Sequence, residues 1–464
     1  MGSSETVVAG DRSSACNGSR VLVLQTIPSP NLQSTMSTSC INPPAFRVTE
    51  TLLAIMLAFC IYAFGGHSIF FTVTPELDVD ALHAMRTMVD PLRRAGYVVL
   101  VLLVVLAIRL KPRTGIRTHS GIRFCVLFTI SWMALSVIWS RITPVSLKEL
   151  RDGLLVWLAC AAIAPRLGLA GIRKAAMIYT GLAMILGVAC ELSLSTFHPF
   201  RSGYRFSGTL YPNLQGTVCA IFIICLVSGN IQARYLHVMR YCALFVAMTL
   251  LILTQSRDSM AALAVVGVFI GTSRWSKRSV VKLIASACLI CALITGALVL
   301  AFPGVTGRDL TSAITLDRDT VAADGIGGTR LSIWTECLSL LAARPLLGYG
   351  YGSFWSEERV REMADRLGLL VLHAHNGYLD VALNTGLVGC AVFVMALFWA
   401  LKQYLRDYRN RWQSDVGFAS GVLLFFVVHI LFESFYVTGV ETILSLCMIM
   451  VLAFARKPMT GQNV

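Results

Sequence analysis

Long uncharged stretches of apolar residues constrain this chain more than any other feature. The clearest one has no charged residue from Leu283 to Gly307, and similar stretches recur along most of the sequence. A helix needs about 20 apolar residues to cross the hydrocarbon core of a bilayer. Hydrophobic residues make up 56% of the chain and charged residues only 14%. A soluble core could not hide so much apolar surface, so the sequence predicts an all-α, polytopic integral membrane protein.

Counting the apolar stretches gives about twelve transmembrane helices. Their predicted limits are 50–66, 95–110, 122–140, 153–170, 175–194, 212–230, 239–255, 258–273, 281–304, 377–401, 416–434 and 438–455. The parts of the chain that follow from them are a disordered cytoplasmic N-terminal tail (1–49), transmembrane helices 1–9 (50–303), a long, partly helical outer loop (304–374), transmembrane helices 10–12 (375–455) and a cytoplasmic C-terminal tail (456–464).

The net charge of +14 is explained by the loops between the helices, so no nucleic acid partner is expected. The loops rich in Lys and Arg all fall on one side of a twelve-helix arrangement, and they are 109–123, 166–174, 234–240, 274–282 and 402–411. Basic loops of membrane proteins stay in the cytoplasm. Both termini are therefore predicted to be cytoplasmic, and the loop 304–374 is predicted to lie on the outer side.

The outer loop contains an amphipathic pattern. Leu331, Trp334, Leu338 and Leu341 recur at helical spacing, which predicts a helix that buries these residues. An aromatic Gly-Tyr-Gly turn follows, and a second helix is predicted over 357–370.

The cysteines and acids predict no metal site and no cofactor. Most of the 14 cysteines lie inside the apolar stretches, where a cysteine behaves as a small hydrophobe. The acidic residues of the outer loop are scattered and do not have metal-ligand spacing. No disulfide framework is predicted either.

A polar stripe begins where the tenth transmembrane helix is predicted to start. His375 and Asn376 are followed by Asp380 and Asn384 at helical spacing. Polar residues inside a membrane are costly unless they line a cavity or contact another helix. An imidazole titrates near neutral pH, which makes His375 the candidate proton acceptor. The alternative is an interfacial histidine followed by polar residues that hold helices together.

Three arginines are predicted to lie on this same outer side. Arg257 occupies a very short hairpin between the seventh and eighth helices, Arg205 precedes the sixth helix, and Arg330 begins the amphipathic helix of the outer loop. A guanidinium group can bind two phosphate oxygens at once. For Arg257 the alternatives are contact with lipid headgroups and neutralisation of Glu433 or Glu441, and for Arg330 the alternative is a solvated surface residue.

These elements resemble the O-antigen ligase and O-antigen polymerase superfamily of bacterial envelope glycosyltransferases, in which they occur in the same order. The matching elements are 205–213, 254–257, 330–334, and His375-Asn376 followed by Gly386 and Gly389. The two glycines are expected to permit close helix packing. Segments 348–355 and 373–380 resemble the exopolysaccharide-polymerase branch of the superfamily in particular.

The resemblance implies metal-independent transfer of a glycan from undecaprenyl diphosphate to an acceptor hydroxyl. It places the outer loop in the periplasm and the protein in the bacterial inner membrane. His375 would accept the proton of the acceptor hydroxyl, and in-line attack would invert the anomeric centre. The residues assigned to substrate binding are Arg205, Arg257, Arg330, Asn376 and Asp380.

The acceptor separates two alternatives within the superfamily. A polymerase, which is the favoured interpretation, uses another lipid-linked repeat, whereas a ligase uses lipid A-core. A transporter of lipid-linked oligosaccharides is an alternative from another class, and it predicts ionisable groups near the bilayer midplane in two related halves. The sequence has its candidate groups at one face and no repeated halves. Membrane lipid is an expected partner, and the sequence leaves open a chain-length regulator.

Overall fold

The structure is a computed structural model of the chain. It describes residues 44–68, 79–110, 119–199, 201, 204–229, 234–274, 326–368, 371–411, 413–434 and 440–454. These residues form α-helices, a 3-10 turn (Val137–Trp139) and loops, and no β-strand occurs among them. The predicted all-α class is therefore confirmed.

The described α-helices are numbered here in chain order. They are α1 (Pro44–Phe64), α2 (Val79–Ile108), α3 (Ser120–Ser136), α4 (Thr143–Ser193), α5 (Pro212–Ser228), α6 (Arg234–Thr254), α7 (Arg257–Arg274), α8 (Ile326–Ala343), α9 (Glu357–Leu367), α10 (Gly377–Arg411), α11 (Ser414–His429) and α12 (Val440–Phe454).

Five of the described helices are long and apolar enough to cross a membrane. They contain the segments Pro91–Ile108, Ser120–Trp139, Thr143–Ser193, Tyr235–Thr254 and Gly377–Asn410. Shorter apolar helices lie at Thr49–Phe64, Pro212–Ser228, Ser414–His429 and Val440–Phe454. The ninth predicted transmembrane helix (281–304) lies outside the described residues, so the count of twelve stays a prediction.

The predicted fourth and fifth transmembrane helices both lie within α4. Gly168 interrupts this helix with φ 69° and ψ 174°, a backbone conformation that is open to glycine and strained for other residues. Pro165 lies one turn earlier and lacks the amide that a continuous helix would use. The interruption thus divides α4 close to the boundary that the sequence predicts.

Burial separates inner from outer helices. Most residues of α5 and α11 and nearly all residues of α12 are buried, and α4 packs against both α12 and α5. By contrast, α2, α3 and α6 expose large apolar side chains, among them Val98, Phe124 and Phe245, which are 62–74% exposed. Apolar surface of this extent is typical of helices that face lipid. The protein is thus a multi-pass membrane protein with a helical core.

The helix α8 buries only part of the predicted face. Leu341 is buried in a cluster on α10 and Trp334 packs against the same cluster, as predicted. Ile333 is also buried there, whereas Leu331 and Leu338 are 62% and 55% exposed. The prediction that Leu331 and Leu338 share the buried face is wrong. Apolar residues lie on more than one face of this helix, and periodicity alone does not decide which of them meets the protein.

A turn of the outer loop inserts into a break in α10. Gly386 breaks the helix with φ 72° and ψ 177°, and two amides of the turn 345–350 donate to the carbonyls of Leu383 and Asn384 at 2.9 Å each. The amide of Leu387 donates back to the turn at 2.8 Å. A Cβ atom at Gly386 would overlap the backbone of this turn. The close approach expected here is therefore that of a loop and not of another helix.

Candidate active site

The centre of the site is a histidine–carboxylate pair. His375 lies immediately before α10 and has φ 50°, in the left-handed region that non-glycine residues rarely adopt. Its Nδ1 atom lies 3.1 Å from Oε1 of Glu433, in the turn that follows α11. When Nδ1 carries the proton, it donates to the carboxylate and leaves Nε2 as a proton acceptor. The pair therefore sets the orientation and tautomer that a general base requires.

Glu433 is buried, with 5% of its surface exposed. Burial alone would raise the pKa of this carboxyl group. However, the hydrogen bonds from His375 and Asn213 stabilise the charged form, and the pKa of Glu433 falls to about 2. The group is therefore a carboxylate at neutral pH.

Arg205 reaches the same carboxylate through Asn213. Nη2 of Arg205 donates to Oδ1 of Asn213 at 2.8 Å, and its Nε donates to the carbonyl of Thr254 at 3.0 Å. The amide nitrogen of Asn213 then donates to Oε2 of Glu433 at 2.7 Å. Asn213 thus links the guanidinium to Glu433 and His375. Asn213 lies inside the first turn of α5, because Tyr211 occupies the N-cap position.

A buried carboxylate in α4 holds the loop that carries Arg205. Glu191 is 1% exposed, and its Oε1 accepts hydrogen bonds from the amides of Ser207 and Gly208 at 2.9 and 2.8 Å. The hydroxyl of Tyr204 donates to Oε2 at 2.5 Å. Glu191 therefore fixes the backbone on both sides of Arg205.

Arg330 forms a two-point ion pair with the start of α7. Its Nη2 lies 2.9 Å from Oδ2 of Asp258, and its Nη1 lies 3.4 Å from Oδ1. Asp258 directly follows Arg257, the first residue of α7, which is half-buried. Burial lowers the pKa of the His373 imidazole to about 4, and the nearby positive charge of Arg330 adds to this effect. The structure thus brings Arg330 to the N-terminus of α7 and to the histidine pair.

Two residues predicted to bind substrate, Asn376 and Asp380, make hydrogen bonds within the protein. Oδ1 of Asn376 accepts the amide of Leu379 at 3.0 Å, as a helix cap does. Asp380 accepts hydrogen bonds from Nε1 of Trp355 at 2.8 Å, from the amide of Ala374 at 3.2 Å and from the hydroxyl of Ser434. Both residues thus support the segment that carries His375.

The site also lies at the start of several helices. Asn213 belongs to the first turn of α5, Asp258 to the first turn of α7, and His375 directly precedes α10. Helix N-termini carry partial positive charge and favour anions. Together with the arginines, these helix ends make the site suitable for an anionic ligand.

A second buried pair lies behind the first. Nδ1 of His429 lies 3.0 Å from Oε2 of Glu441, and its Nε2 lies 3.4 Å from the hydroxyls of Thr217 and Ser259. His429 and Glu441 are 0% and 3% exposed. The sequence analysis considered Glu441 only as a partner of Arg257. This pair instead connects α5, α7, α11 and α12 beneath the site.

One group in the described residues could hold a metal ion. The ligand atoms of His373, His375 and Glu433 all lie within 4.8 Å of one another. His375 and Glu433 are the residues of the central pair.

The fold and the site define a multi-pass membrane protein with a basic, histidine-containing site at helix ends. Residues 242–394 match the protein family described as O-antigen ligase, and this stretch contains Arg257, Arg330, His375, Asn376 and Asp380. The resemblance inferred from the motifs is thus confirmed over these residues, which are similar to the O-antigen ligase family. Arg205, Glu191 and Glu433 lie outside the matched residues.

Several curated proteins are similar to part of this chain. A protein of Rickettsia typhi, provisionally named a polysaccharide ligase, is 28% identical over 196 residues, which cover 41% of this chain and 44% of that protein. One of Rickettsia bellii with the same provisional name is 29% identical over 232 residues, or 48% of this chain and 54% of its own length. The exopolysaccharide production protein ExoQ of Rhizobium meliloti is 32% identical over 108 residues, or 21% of this chain and 24% of ExoQ. The chain thus spans about half the length of the Rickettsia proteins.

Proposed function

We propose that the protein transfers a glycan from undecaprenyl diphosphate to an acceptor hydroxyl at the periplasmic face of the bacterial inner membrane. The observation that supports this most directly is the 3.1 Å contact between Nδ1 of His375 and the buried carboxylate of Glu433. Arg205 is connected to the same carboxylate through Asn213. An oriented base near basic side chains fits the attack of a hydroxyl on a sugar whose leaving group is a diphosphate.

In the proposed reaction the acceptor oxygen attacks the anomeric carbon, and the bond between that carbon and the diphosphate oxygen breaks. The hydroxyl proton passes to Nε2 of His375. Glu433 stabilises the resulting imidazolium through Nδ1–H, as the carboxylate of a catalytic triad does. A positioned general base contributes about 10²–10⁴-fold to the rate. Because the base and the leaving group lie on opposite sides of the sugar, the anomeric centre inverts.

The departing lipid diphosphate gains negative charge, and the basic residues stabilise it. Arg205 and Arg257 bind its oxygens. Arg330 adds a third positive charge, which is partly offset by Asp258. A preorganised donor in such a site contributes about 3 kcal/mol. The N-termini of the surrounding helices add to this stabilisation. The step is proposed to proceed without a metal ion.

Asn376 and Asp380 are assigned to positioning in this proposal. Asn376 caps α10, and Asp380 holds Ala374, so both fix the backbone beside His375. Their replacement should therefore misplace the base while leaving the diphosphate pocket in place.

A polymerase is the favoured form of this activity. The segments 348–355 and 373–380 resemble the exopolysaccharide-polymerase branch, and part of the chain is similar to ExoQ. A ligase is the second candidate, because the matched family is described as O-antigen ligase and the Rickettsia relatives are provisionally named polysaccharide ligases.

The product of a reconstituted reaction distinguishes the candidates. Purified protein in liposomes is given a defined undecaprenyl-diphosphate-linked repeat, with or without lipid A-core. A ladder of lengthening products without lipid A-core supports the polymerase, whereas transfer only to lipid A-core supports the ligase. Movement of labelled lipid across the bilayer without a new glycosidic bond would refute both and support a transporter.

His375→Ala tests the assignment of the base in the same assay. Transfer should fall at least about 10²-fold, while the affinity for the lipid-linked donor persists. His198→Ala, which changes an exposed histidine of the 194–199 loop, serves as the matched control. Near-normal product length from His375→Ala would remove His375 as the base.

A further inference from the structure

The proposed transfer uses His375 and Glu433 but gives no role to His373, whose Nδ1 lies 3.9 Å from Oε1 of Glu433. We propose that the three side chains form a binding site for a divalent transition-metal ion, Zn²⁺ by the nature of the donors, and that its occupancy switches transfer off. The existence of the site stands on the geometry alone, whereas the inhibition rests on the proposed function. Zinc would act here as a regulator and not as a cofactor.

The distances are close to those of a zinc site. Nδ1 of His375 lies 3.1 Å and Nδ1 of His373 lies 3.9 Å from Oε1 of Glu433, and all three ligand atoms lie within 4.8 Å of one another. Zinc binds imidazole nitrogen and carboxylate oxygen at about 2.0–2.2 Å, with neighbouring ligands roughly 3.3 Å apart in a tetrahedron. Small side-chain rotations therefore suffice to close the three donors on one ion.

The donor set favours zinc over the hard cations. Calcium and magnesium prefer six or more oxygen ligands, whereas two imidazoles and one carboxylate match the three-ligand zinc sites that leave a fourth position for water. The side chains of His373 and His375 are 21% and 31% exposed, so an ion can reach the two nitrogens.

The ligands are already held by neighbouring groups. Ala374, between the two histidines, donates its amide to Asp380 at 3.2 Å and accepts Nε1 of Trp334 at 2.8 Å through its carbonyl. The second oxygen of Glu433 accepts the amide of Asn213 at 2.7 Å. Supporting hydrogen bonds of this kind orient metal ligands and strengthen binding.

Occupancy would remove the base. Catalysis needs the proton of neutral His375 on Nδ1 and the lone pair on Nε2. A zinc ion on Nδ1 binds the lone pair of Nδ1 itself. The single proton of the neutral ring must then lie on Nε2, and Nε2 cannot accept a proton from the acceptor hydroxyl. The ion also neutralises Glu433. Zinc binding and proton acceptance by His375 are thus mutually exclusive.

The binding test uses the purified full-length protein in detergent, with an affinity tag that contains no histidine. Co²⁺ is titrated as a spectroscopic probe, and Zn²⁺ is then added to displace it. The expected result is the visible absorption of tetrahedral Co²⁺, with affinity at least about tenfold weaker in His373→Gln. His198→Gln, which removes a histidine outside the cluster, should bind as the unaltered protein does. Equal Co²⁺ affinity in His373→Gln and the unaltered protein would overturn the site.

The inhibition test measures transfer with increasing Zn²⁺, each protein relative to its own rate with a chelator present. The unaltered protein should lose transfer and regain it on chelation, and His373→Gln should need at least about tenfold more zinc. Transfer that persists with a spectroscopically filled site would overturn the inhibition. A protein that binds Co²⁺ through these residues but never transfers glycan would instead refute the proposed function and leave the site standing.

Discussion

Replacing Glu433 by Gln removes the charge behind the proposed base while keeping the size of the side chain. The pKa of Glu433 falls from its usual 4.5 to about 2, and each pKa unit corresponds to about 1.36 kcal/mol. The contacts therefore stabilise the carboxylate by about 3 kcal/mol more than burial destabilises it. Coulomb's law gives about 5 kcal/mol for unit charges at the His375–Glu433 distance with an effective dielectric constant near 20.

The lower value is the better guide, because Gln still offers an oxygen to His375. It predicts that Glu433→Gln lowers kcat on the order of 100-fold. The affinity for the lipid-linked donor should change little, since Glu433 does not contact the leaving group in the proposed reaction.

The assay is single-turnover transfer in liposomes, with donor binding measured separately. Glu358→Gln, which neutralises an exposed acid in α9, is the matched control. Retention of more than about one third of kcat by Glu433→Gln would refute the argument that this carboxylate orients and stabilises the base. A loss confined to donor affinity would equally contradict it.

Three further replacements test the proposed binding of diphosphate by arginine and the framework of the site. Arg257→Lys keeps the charge but loses the two-point fork, so the donor Kd should rise roughly tenfold; an unchanged Kd would contradict bidentate binding of the diphosphate. Glu191→Gln weakens the buried hydrogen bonds around Arg205 and should raise the donor Kd more than it lowers kcat, with about 2 kcal/mol lost from stability; an equal loss in Glu358→Gln would contradict a positioning role. Gly386→Ala should destabilise the protein by roughly 1–3 kcal/mol, because a non-glycine residue is strained at φ 72°.

The control for Gly386→Ala is Gly267→Ala in α7. A Cβ atom at Gly267 meets nothing within 4 Å, and alanine favours a helix over glycine by about 1 kcal/mol. The midpoint of thermal unfolding in detergent should therefore fall for the first variant and hold or rise for the second. Equal midpoints would contradict the account of the break in α10.

The apolar stretches predicted most of the helices that the structure describes, because the length of a bilayer-crossing helix is a simple physical requirement. The motif around His375 also singled out the candidate base, because such a motif is a local feature of the sequence, and its catalytic role stays a prediction. The partners of that base are not local. Glu433 is far along the chain from Asn213, and no periodicity records such a contact.

A signal for the missed acids was nevertheless present. Glu191 and Glu433 each lie in a predicted transmembrane stretch, where an acidic residue is costly and usually functional. The sequence analysis considered Glu433 only as a neutralising partner of Arg257. The orientation of α8 could be predicted only in part, because apolar residues lie on more than one face of this helix and contact with α10 decides that Ile333 is buried and Leu331 is exposed.

Because of the break at Gly386, the turn 345–350 is joined through its backbone to the first part of α10. Backbone hydrogen bonds join the turn 345–350 to α10 on both sides of Gly386, and His375 lies at the free end of the same short segment. In the proposed reaction, a glycan bound against the turn 345–350 would therefore also shift the segment that carries His375.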